Sequence, residues 1–285
     1  MDRRPDFPPA PTEATGGWRS LYRVAAVAAG LQFLAMFAYL YTGDMLPTAA
    51  EVFAAMQSQP LGGLRYGDFT TLVMVAMYAP VALCIWRVVR RRDHAWATVG
   101  LGMVLVAVTL TCASHPGHSL IHLSEQHAAA TSDAEREALR IAGDAVLATG
   151  IWNATSGFVG GIGLQGGAVV LSLLMLRCRG FSRATAWFGL AANGLDLAQH
   201  LLGGVGLHPP GWLMMFAGLA YVPWFPLLSY DLWVAGRRAA ERENAVPLEP
   251  HVASAGDQAP PAPRPAAPGP PPAPVAEAGG GAPGR

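Results

Sequence analysis

Six long apolar stretches constrain the fold of this chain more than any other feature. They cover residues 24–41, 69–86, 96–113, 155–176, 184–207 and 212–234. A helix that crosses a bilayer needs about 20 mostly apolar residues, and lipid offers no hydrogen-bond partner to backbone that is not helical. The sequence therefore predicts an all-α fold, a polytopic membrane helix bundle with six transmembrane helices.

Composition agrees with a chain that is embedded in lipid. Hydrophobic residues make up 52% and charged residues 13%, whereas charged residues make up about a quarter of a soluble domain. The formal net charge is zero, so no overall field attracts a polyanion. The lipid bilayer is thus the expected partner, and nucleic acid is not.

The arginines predict how the chain is oriented. All 19 basic residues are arginine, and three lie in links on the side opposite to the termini, namely Arg65, Arg136 and Arg140. The fourteen that flank the spans on the other side are Arg3, Arg4, Arg19, Arg23, Arg87, Arg90, Arg91, Arg92, Arg177, Arg179, Arg183, Arg237, Arg238 and Arg242. Because cytoplasmic links are rich in Arg, we expect both termini in the cytoplasm, an N-in/C-in topology.

Three regions follow from this pattern. Residues 1–19 form a polar arm that is expected to be disordered in the cytoplasm, and residues 20–243 form the six-span transmembrane domain. Residues 244–285 are rich in Pro, Ala and Gly, so they have little to bury and are expected to be a disordered cytoplasmic tail. Its proline runs could also bind a cytoplasmic partner in an extended conformation.

Two long outer links are predicted to contain helices. A short helix is expected in residues 42–68, and an extra surface helix in the link between the third and fourth spans. In that link Thr131 or Ser132 can cap a helix, with Glu135 at capping-box spacing from Ser132. A weak apolar stripe then runs along one side of this helix, opposite Glu137 and Arg140, and consists of Ala138, Ile141, Ala142 and Ala145.

The fourth span contains two pairs of glycines at small-xxx-small spacing. These are Gly157 with Gly161 and Gly163 with Gly167. Such pairs let two helices approach closely. They could serve packing inside the chain or form an oligomer contact.

Two segments carry a resemblance to a known family. They are "AAATSDAEREALRIAGDAVLA" at 128–148 and "MLRCRGFSRATAWFG" at 175–189. Over roughly residues 20–235 the chain resembles a bacterial family of six-helix membrane proteins catalogued as domain of unknown function 4386. The resemblance implies a multi-pass protein of the bacterial cytoplasmic (inner) membrane. It implies no activity and no catalytic residues, and "HPGHSLIH" does not resemble the family pattern.

The fifth span carries an intramembrane polar face. Asn193, Asp196 and His200 are spaced three and four residues apart, so they share one side of a helix. A carboxylate inside a membrane costs about 2.5–3.5 kcal/mol on insertion scales, so Asp196 should face the interior of the bundle and find a partner. His200 and Asn193 are the local candidates. The group could be a functional site or a structural clamp.

Other polar side chains within the spans have simpler interpretations. Gln32 and Gln165 are expected to make hydrogen bonds between helices. Asp231 lies near the inner boundary, where it could reach water or Arg237.

Four of the eight histidines lie in "CASHPGHSLIHLSEQH" at residues 112–127. If Pro116 opens a helix there, His118, His122 and Glu125 share a face, and two imidazoles one turn apart can bind one metal ion. His118 and His122 would form, with Asp196 and His200, a set of three histidines and one carboxylate that is suited to zinc. Glu125 would be a nearby base, and His115 a further candidate. Alternatively, these histidines are solvated interfacial residues, or they titrate near neutral pH and handle protons.

The sequence favours a non-enzymatic membrane protein that binds or transports a small solute, an ion or a proton, or supports a partner. The alternative is a metal-dependent membrane hydrolase or oxidase that uses His118, His122, Asp196 and His200. Nucleotide-binding motifs and the GxSxG nucleophile motif are missing from the sequence. No cofactor is assured, and zinc is the one candidate.

Overall fold

The computed structural model of the protein describes residues 16–42, 48–59, 61–66, 68–149 and 154–245. These residues form ten helices and no strand, which confirms the all-α prediction. The helices are α1 (Gly16–Thr42), α2 (Ala49–Ser58), α3 (Gly62–Tyr66), α4 (Phe69–Val89), α5 (His94–Ala113), α6 (Gly117–Ala129), α7 (Asp133–Ala148), α8 (Thr155–Leu176), α9 (Arg183–Gly204) and α10 (Gly211–Ala245).

The first and last helices extend a few residues beyond the predicted limits of the transmembrane domain. Helix α1 begins at Gly16, which is four residues inside the arm predicted to be disordered over residues 1–19. Helix α10 ends at Ala245, two residues into the predicted tail. The rest of that arm, residues 1–15, and the rest of the tail, residues 246–285, lie outside the described residues.

Each of the six apolar stretches becomes a long helix. Among the described residues, α1, α4, α5, α8 and α10 contain segments that are long and apolar enough to cross a membrane. Helix α9 is as long as α8, but Asn193, Asp196 and His200 interrupt its apolar sequence, and none of its segments is apolar enough to be counted with those of the other five. The chain is therefore a membrane-embedded helical protein in which α9 is a long helix with a polar face.

The six long helices pack in a ring in the order of the sequence. Helix α1 contacts α4, α4 contacts α5, α5 contacts α8, α8 contacts α9, and α9 contacts α10, which closes the ring against α1. The main core lies between them and includes Cys84, Val104, Met175 and Leu228, all of which are almost fully buried. Side chains on α8, α9 and α10 consequently face one another across short distances.

The glycines of α8 are used for packing inside the chain. A Cβ on Gly167 would lie 2.7 Å from the carbonyl oxygen of Gly100 in α5, and a Cβ on Gly163 would lie 3.2 Å from the Cβ of Ala107. These residues let α5 and α8 approach closely, as the small-residue spacing predicted. An oligomer contact through α8 stays an untested prediction.

The four shorter helices occupy the two long links. Because consecutive long helices alternate in direction, both links lie at the same end of the bundle, and α2, α3, α6 and α7 contact one another there. They share a small core of Ala49, Val52, Phe53 and Leu120. We call α2, α3, α6 and α7 the link helices.

The predicted surface helix is present as α7. Its N-cap is Ser132, whose Oγ accepts a hydrogen bond from the backbone N–H of Glu135 at 3.3 Å. The Glu135 carboxylate in turn accepts one from the N–H of Thr131 at 3.2 Å. This reciprocal arrangement is close to the predicted capping box.

The face by which α7 packs differs from the predicted apolar stripe. Ile141 is 58% exposed, and the buried position is Gly143, where a Cβ would lie 2.6 Å from Cζ of Phe53. Asp144 adds a hydrogen bond, accepting from the N–H of Ala49 at 2.7 Å. The prediction that the apolar stripe packs was wrong. The large apolar side chain in this contact is Phe53 of α2, and its ring fits against α7 only where α7 has no side chain, at Gly143.

Asp231 in α10 does not pair with Arg237 as the sequence suggested. Its Oδ2 accepts hydrogen bonds from the N–H of Ser182 at 2.9 Å and the hydroxyl of Thr185 at 2.6 Å. Ser182 is the N-cap of α9, and its own Oγ accepts from the N–H of Thr185. A carboxylate at a helix N-terminus also interacts favourably with the helix dipole. Asp231 thereby fixes the start of α9 against α10.

Candidate functional site

Three neighbouring helices bring four polar side chains together inside the bundle. Gln165 comes from α8, Asn193 and Asp196 from α9, and Tyr221 from α10. We call these four residues, together with His200, the polar cluster. Gln165 lies ten residues after the start of α8, which at 1.5 Å per residue is about 15 Å along the axis. The cluster therefore sits near the middle of an apolar layer that is roughly 30 Å thick.

One oxygen of the Asp196 carboxylate is held by two donors. The Gln165 amide donates from Nε2 to Oδ2 over 2.7 Å, and the Tyr221 hydroxyl lies 3.1 Å from the same oxygen. That hydroxyl is also 3.0 Å from Oε1 of Gln165 and 3.3 Å from Oδ1 of Asn193. Because it has one proton, it can donate to only one of the three acceptors at a time.

The second carboxylate oxygen faces His200. Nδ1 of His200 lies 2.9 Å from the backbone oxygen of Asp196 and 3.6 Å from its Oδ1. A carbonyl oxygen can only accept, so Nδ1 carries a proton and Nε2 is the free acceptor of the neutral ring. The side chains of His200 and Asp196 are 18% and 22% exposed. This edge of the cluster, here called the open edge, is therefore partly exposed, while Gln165 and Asn193 are buried.

Asn193, Asp196 and His200 lie on one side of α9, and their partners differ in part from those expected. Asn193 is fully buried and donates to the backbone oxygen of Gly189 in its own helix at 2.8 Å. It reaches Asp196 only through Tyr221. The expected interhelical bond of Gln165 is made to Asp196, and that of Gln32 is made to the backbone oxygen of Met74 at 3.0 Å.

Sequence reasoning missed Tyr221. The residue lies in an apolar stretch that also contains several other aromatic side chains, so nothing singled it out. The available signal was its hydroxyl, because a tyrosine buried in mid-span needs a hydrogen-bond partner, and α9 offered the obvious polar ones.

A small cavity lies beside the polar cluster. The Tyr221 ring packs against Trp224 with 5.7 Å between ring centroids. Trp224 lines a cavity of about 20 Å³ together with Tyr78 and Ser172, which is room for one water molecule. The indole Nε1 of Trp224 is buried and has no hydrogen-bond partner among the described residues. The other lining residues are apolar, namely Val81, Ala82, Ile85, Val104, Ala168 and Leu171, so the cavity is mainly hydrophobic.

The histidines of residues 112–127 each have local neighbours, and two of them, His115 and His118, lie against the same ring, that of Phe69. His115 donates from Nε2 to the backbone oxygen of Asp68 at 2.9 Å, while its Nδ1 accepts from the N–H of Gly117. His118 packs edge-on against Phe69, and His127 packs against Phe53. His122 and Gln126 are in hydrogen-bond contact.

Asp68, beside His115, has an altered acidity. Burial raises the pKa of the Asp68 carboxyl, and this effect outweighs the opposing contributions of Thr71 and His115. The carboxyl is therefore more readily neutral than an exposed aspartic acid.

Helix α6 begins at Gly117, after Pro116, and places His118, His122 and Glu125 on one exposed face, as predicted. The wider set is not assembled. In the part of the chain that the structure describes, no three His, Cys, Asp or Glu side chains form a group that could hold a metal ion. Zinc binding by His118, His122, Asp196 and His200 stays a prediction that this geometry does not support.

Comparison with known proteins gives one finding. A family model described as Domain of unknown function (DUF4386) matches residues 21–233, which agrees with the resemblance seen in the sequence. No curated protein and no solved structure matches the chain.

Proposed function

Because the chain belongs to the family described as Domain of unknown function (DUF4386), whose description gives no activity, we propose a function from the polar cluster. The protein is a non-enzymatic membrane protein that binds a proton, or a small cation in its place, at Asp196 and His200 and passes it through the bundle. The observation that carries this proposal is that the two carboxylate oxygens of Asp196 have different surroundings.

A purely structural clamp would satisfy both oxygens and exclude water from them. Here Oδ2 accepts from Gln165 and Tyr221, whereas Oδ1 faces His200 at 3.6 Å on the open edge. Neutral His200 offers Nε2 as a proton acceptor.

One feature supports movement of the proton beyond this pair. The Tyr221 hydroxyl lies within hydrogen-bond distance of three acceptors, so its proton can be redirected by rotation.

The arginine distribution supports an assignment to the bacterial cytoplasmic membrane with both termini in the cytoplasm. His200 lies four residues before the end of α9 at Gly204, and the alternation of the long helices puts that end beside the link helices. On this proposal the open edge of the polar cluster faces the outer side of the membrane.

The test is proton flux through the full-length protein in lipid vesicles. Vesicles that enclose a pH-sensitive dye are given a potassium diffusion potential, and the rate of internal pH change is recorded. We expect flux with the wild type and its loss in Asp196→Asn, which keeps the shape of the side chain but removes the charge. The matched control is Asp133→Asn, because Asp133 is a fully exposed carboxylate on α7.

Equal flux from the wild type, Asp196→Asn and vesicles without protein would contradict proton passage. Internal pH change that requires added sodium would assign the site to a small cation. The rival enzyme, a metal-dependent hydrolase or oxidase, has no comparable observation in its favour, because His118 and His122 do not form a metal group with Asp196 and His200 in the described structure.

A further inference from the structure

A groove of about 600 Å³ lies on the outer surface of the bundle between α1 and α10. Its floor is made of small residues. Ser229 in α10 donates from Oγ to the backbone oxygen of Ala26 at 2.7 Å, and a Cβ on Gly30 would lie 3.6 Å from that Oγ. The two helices therefore meet closely at the floor, without large side chains that would fill the space above it.

The walls of the groove are apolar and largely aromatic. Phe33 stands on the α1 side, and Tyr230 and Trp233 stand on the α10 side. Tyr230 is 67% exposed and Trp233 is 46% exposed, so no other helix that the structure describes covers these rings. The volume lies within the range of small-molecule binding sites, and the lining suits a hydrocarbon chain.

One end of the groove is cationic. Contact of Ala26 with Ser229 and of Tyr22 with Gly236 shows that α1 and α10 run antiparallel. The arginines at the start of α1 and near the end of α10 consequently share this end, namely Arg19, Arg23, Arg237 and Arg238. The guanidinium of Arg23 lies 6.0 Å from the ring centroid of Trp233, which places a cation directly where the groove ends.

We propose that this groove binds one phospholipid with an anionic headgroup. The phosphate is held by Arg23, and one acyl chain lies along Gly30 between Phe33 and Tyr230. A guanidinium matches the oxygens of a phosphate through paired hydrogen bonds. Trp233 and Tyr230 suit the boundary between headgroup and hydrocarbon. Basic sites between transmembrane helices recognise lipid headgroups by this combination of charge and apolar surface.

The experiment is native mass spectrometry of the full-length protein in mild detergent. Phosphatidylglycerol and phosphatidylcholine with identical acyl chains are added in equal amounts, and the lipid retained per chain is counted. We expect one retained phosphatidylglycerol. In Arg23→Gln its preference over phosphatidylcholine should fall about five-fold, since one arginine near an anionic headgroup contributes about 1 kcal/mol. Arg183→Gln, which changes an exposed arginine at the start of α9, should leave the preference unchanged.

Two variants test the groove itself. Gly30→Leu sends a branched side chain into the space, and Val27→Trp fills it from an exposed position that lines the groove. Both should lose most of the retained lipid. The control is Gly102→Leu, because a Cβ on Gly102 meets nothing within 4 Å. Circular dichroism and size-exclusion chromatography verify that each variant is folded. If Gly30→Leu does not fold, the result for Val27→Trp tests the groove.

Three results would overturn the proposal. The first is equal retention of the two lipids by the wild type. The second is an unchanged preference in Arg23→Gln. The third is a protein dimer without retained lipid that dissociates in Val27→Trp, since this would make the groove a contact between two copies of the chain.

Discussion

The imidazole of His200 in α9 lies directly against Gly161 in α8, in space that a Cβ on Gly161 would have to share with the ring. This contact holds the ring close to α8 while its Nδ1 stays beside Asp196. Gly161 therefore helps to position the polar cluster although it is not one of its members. It links the close packing of α8 and α9 to the position of a titratable group.

Substitution of Gly161 by alanine should disturb this arrangement. The new methyl group has to displace the His200 ring or separate the two helices, and overpacking of this kind costs about 1–3 kcal/mol. We expect a lower free energy of unfolding, measured by titration with a denaturing detergent. Gly194→Ala is the matched control, because its Cβ would meet nothing within 4 Å. An alanine there should be neutral or slightly stabilising, and equal destabilisation by both variants would contradict the role given to Gly161.

Removal of the Tyr221 hydroxyl should weaken the polar cluster. In Tyr221→Phe, Asp196 keeps Gln165 as a donor but loses the second one, and hydrogen bonds between membrane helices contribute about 1 kcal/mol. The same unfolding titration measures the loss. Tyr230→Phe on the same helix is the control, since Tyr230 is largely exposed and should be neutral. If Tyr221→Phe is equally neutral, the hydroxyl does not hold Asp196.

The cap that Asp231 provides for α9 should be measurable separately. Asp231→Asn removes the charge from the helix N-terminus and weakens the bonds to Ser182 and Thr185, so we expect a loss of about 1 kcal/mol. Hydrogen–deuterium exchange should become faster in the first turn of α9. Asp133→Asn also alters a carboxylate in the first turn of a helix, but its ion pair with Arg136 is exposed and should contribute little. Unchanged exchange at Ser182–Thr185 in Asp231→Asn would argue against the cap.

The link helices allow a direct test of which face of α7 is packed. Gly143→Ala should detach α7 from Phe53 and Ala49, whose atoms lie 2.6 and 2.7 Å from the new Cβ position. Ile141→Ala should have little effect, because Ile141 is mostly exposed. The measurement is hydrogen–deuterium exchange of the α7 backbone. A larger effect from Ile141→Ala would restore the packing that the apolar stripe predicted.

The histidines can be tested for a shared metal centre. His118 packs against Phe69 in the link region, whereas His200 lies against Gly161 inside the bundle. We therefore expect that His118→Ala and His200→Ala do not remove the same bound metal. Metal content of the purified protein, measured by mass spectrometry, checks this expectation. Near-stoichiometric zinc that is lost in both variants would show that the two side chains hold one ion.

The long helices and one face of the site could be predicted because each depends on a single segment. An apolar run of about 20 residues has few alternatives to a transmembrane helix. The spacing of Asn193, Asp196 and His200 fixes their common side once α9 is helical. The spacing of Ser132 and Glu135 likewise predicts the start of α7, because their capping hydrogen bonds are local.

Contacts between helices that are distant in the sequence could not be predicted from the pattern of a single segment. Tyr221 reaches Asp196 only because α10 closes the ring beside α9, and its apolar neighbours give no sign of this. The spacing of His118 and His122 constrains one helix but does not bring that helix to Asp196. Gly143 became the packed position of α7 because of the shape of Phe53, a residue 90 positions earlier in the chain.

The polarity of α9 has a consequence for biogenesis. Membrane segments reach the translocon one after another during synthesis. Transfer of a helix with an aspartate near its centre into lipid costs about 2.5–3.5 kcal/mol for that residue. Gln165 is already in place when α9 is synthesised, but Tyr221 and the capping Asp231 both belong to α10. Helix α9 should therefore dwell at the translocon until α10 follows it, so that the last two helices of the ring enter the membrane together as a hairpin.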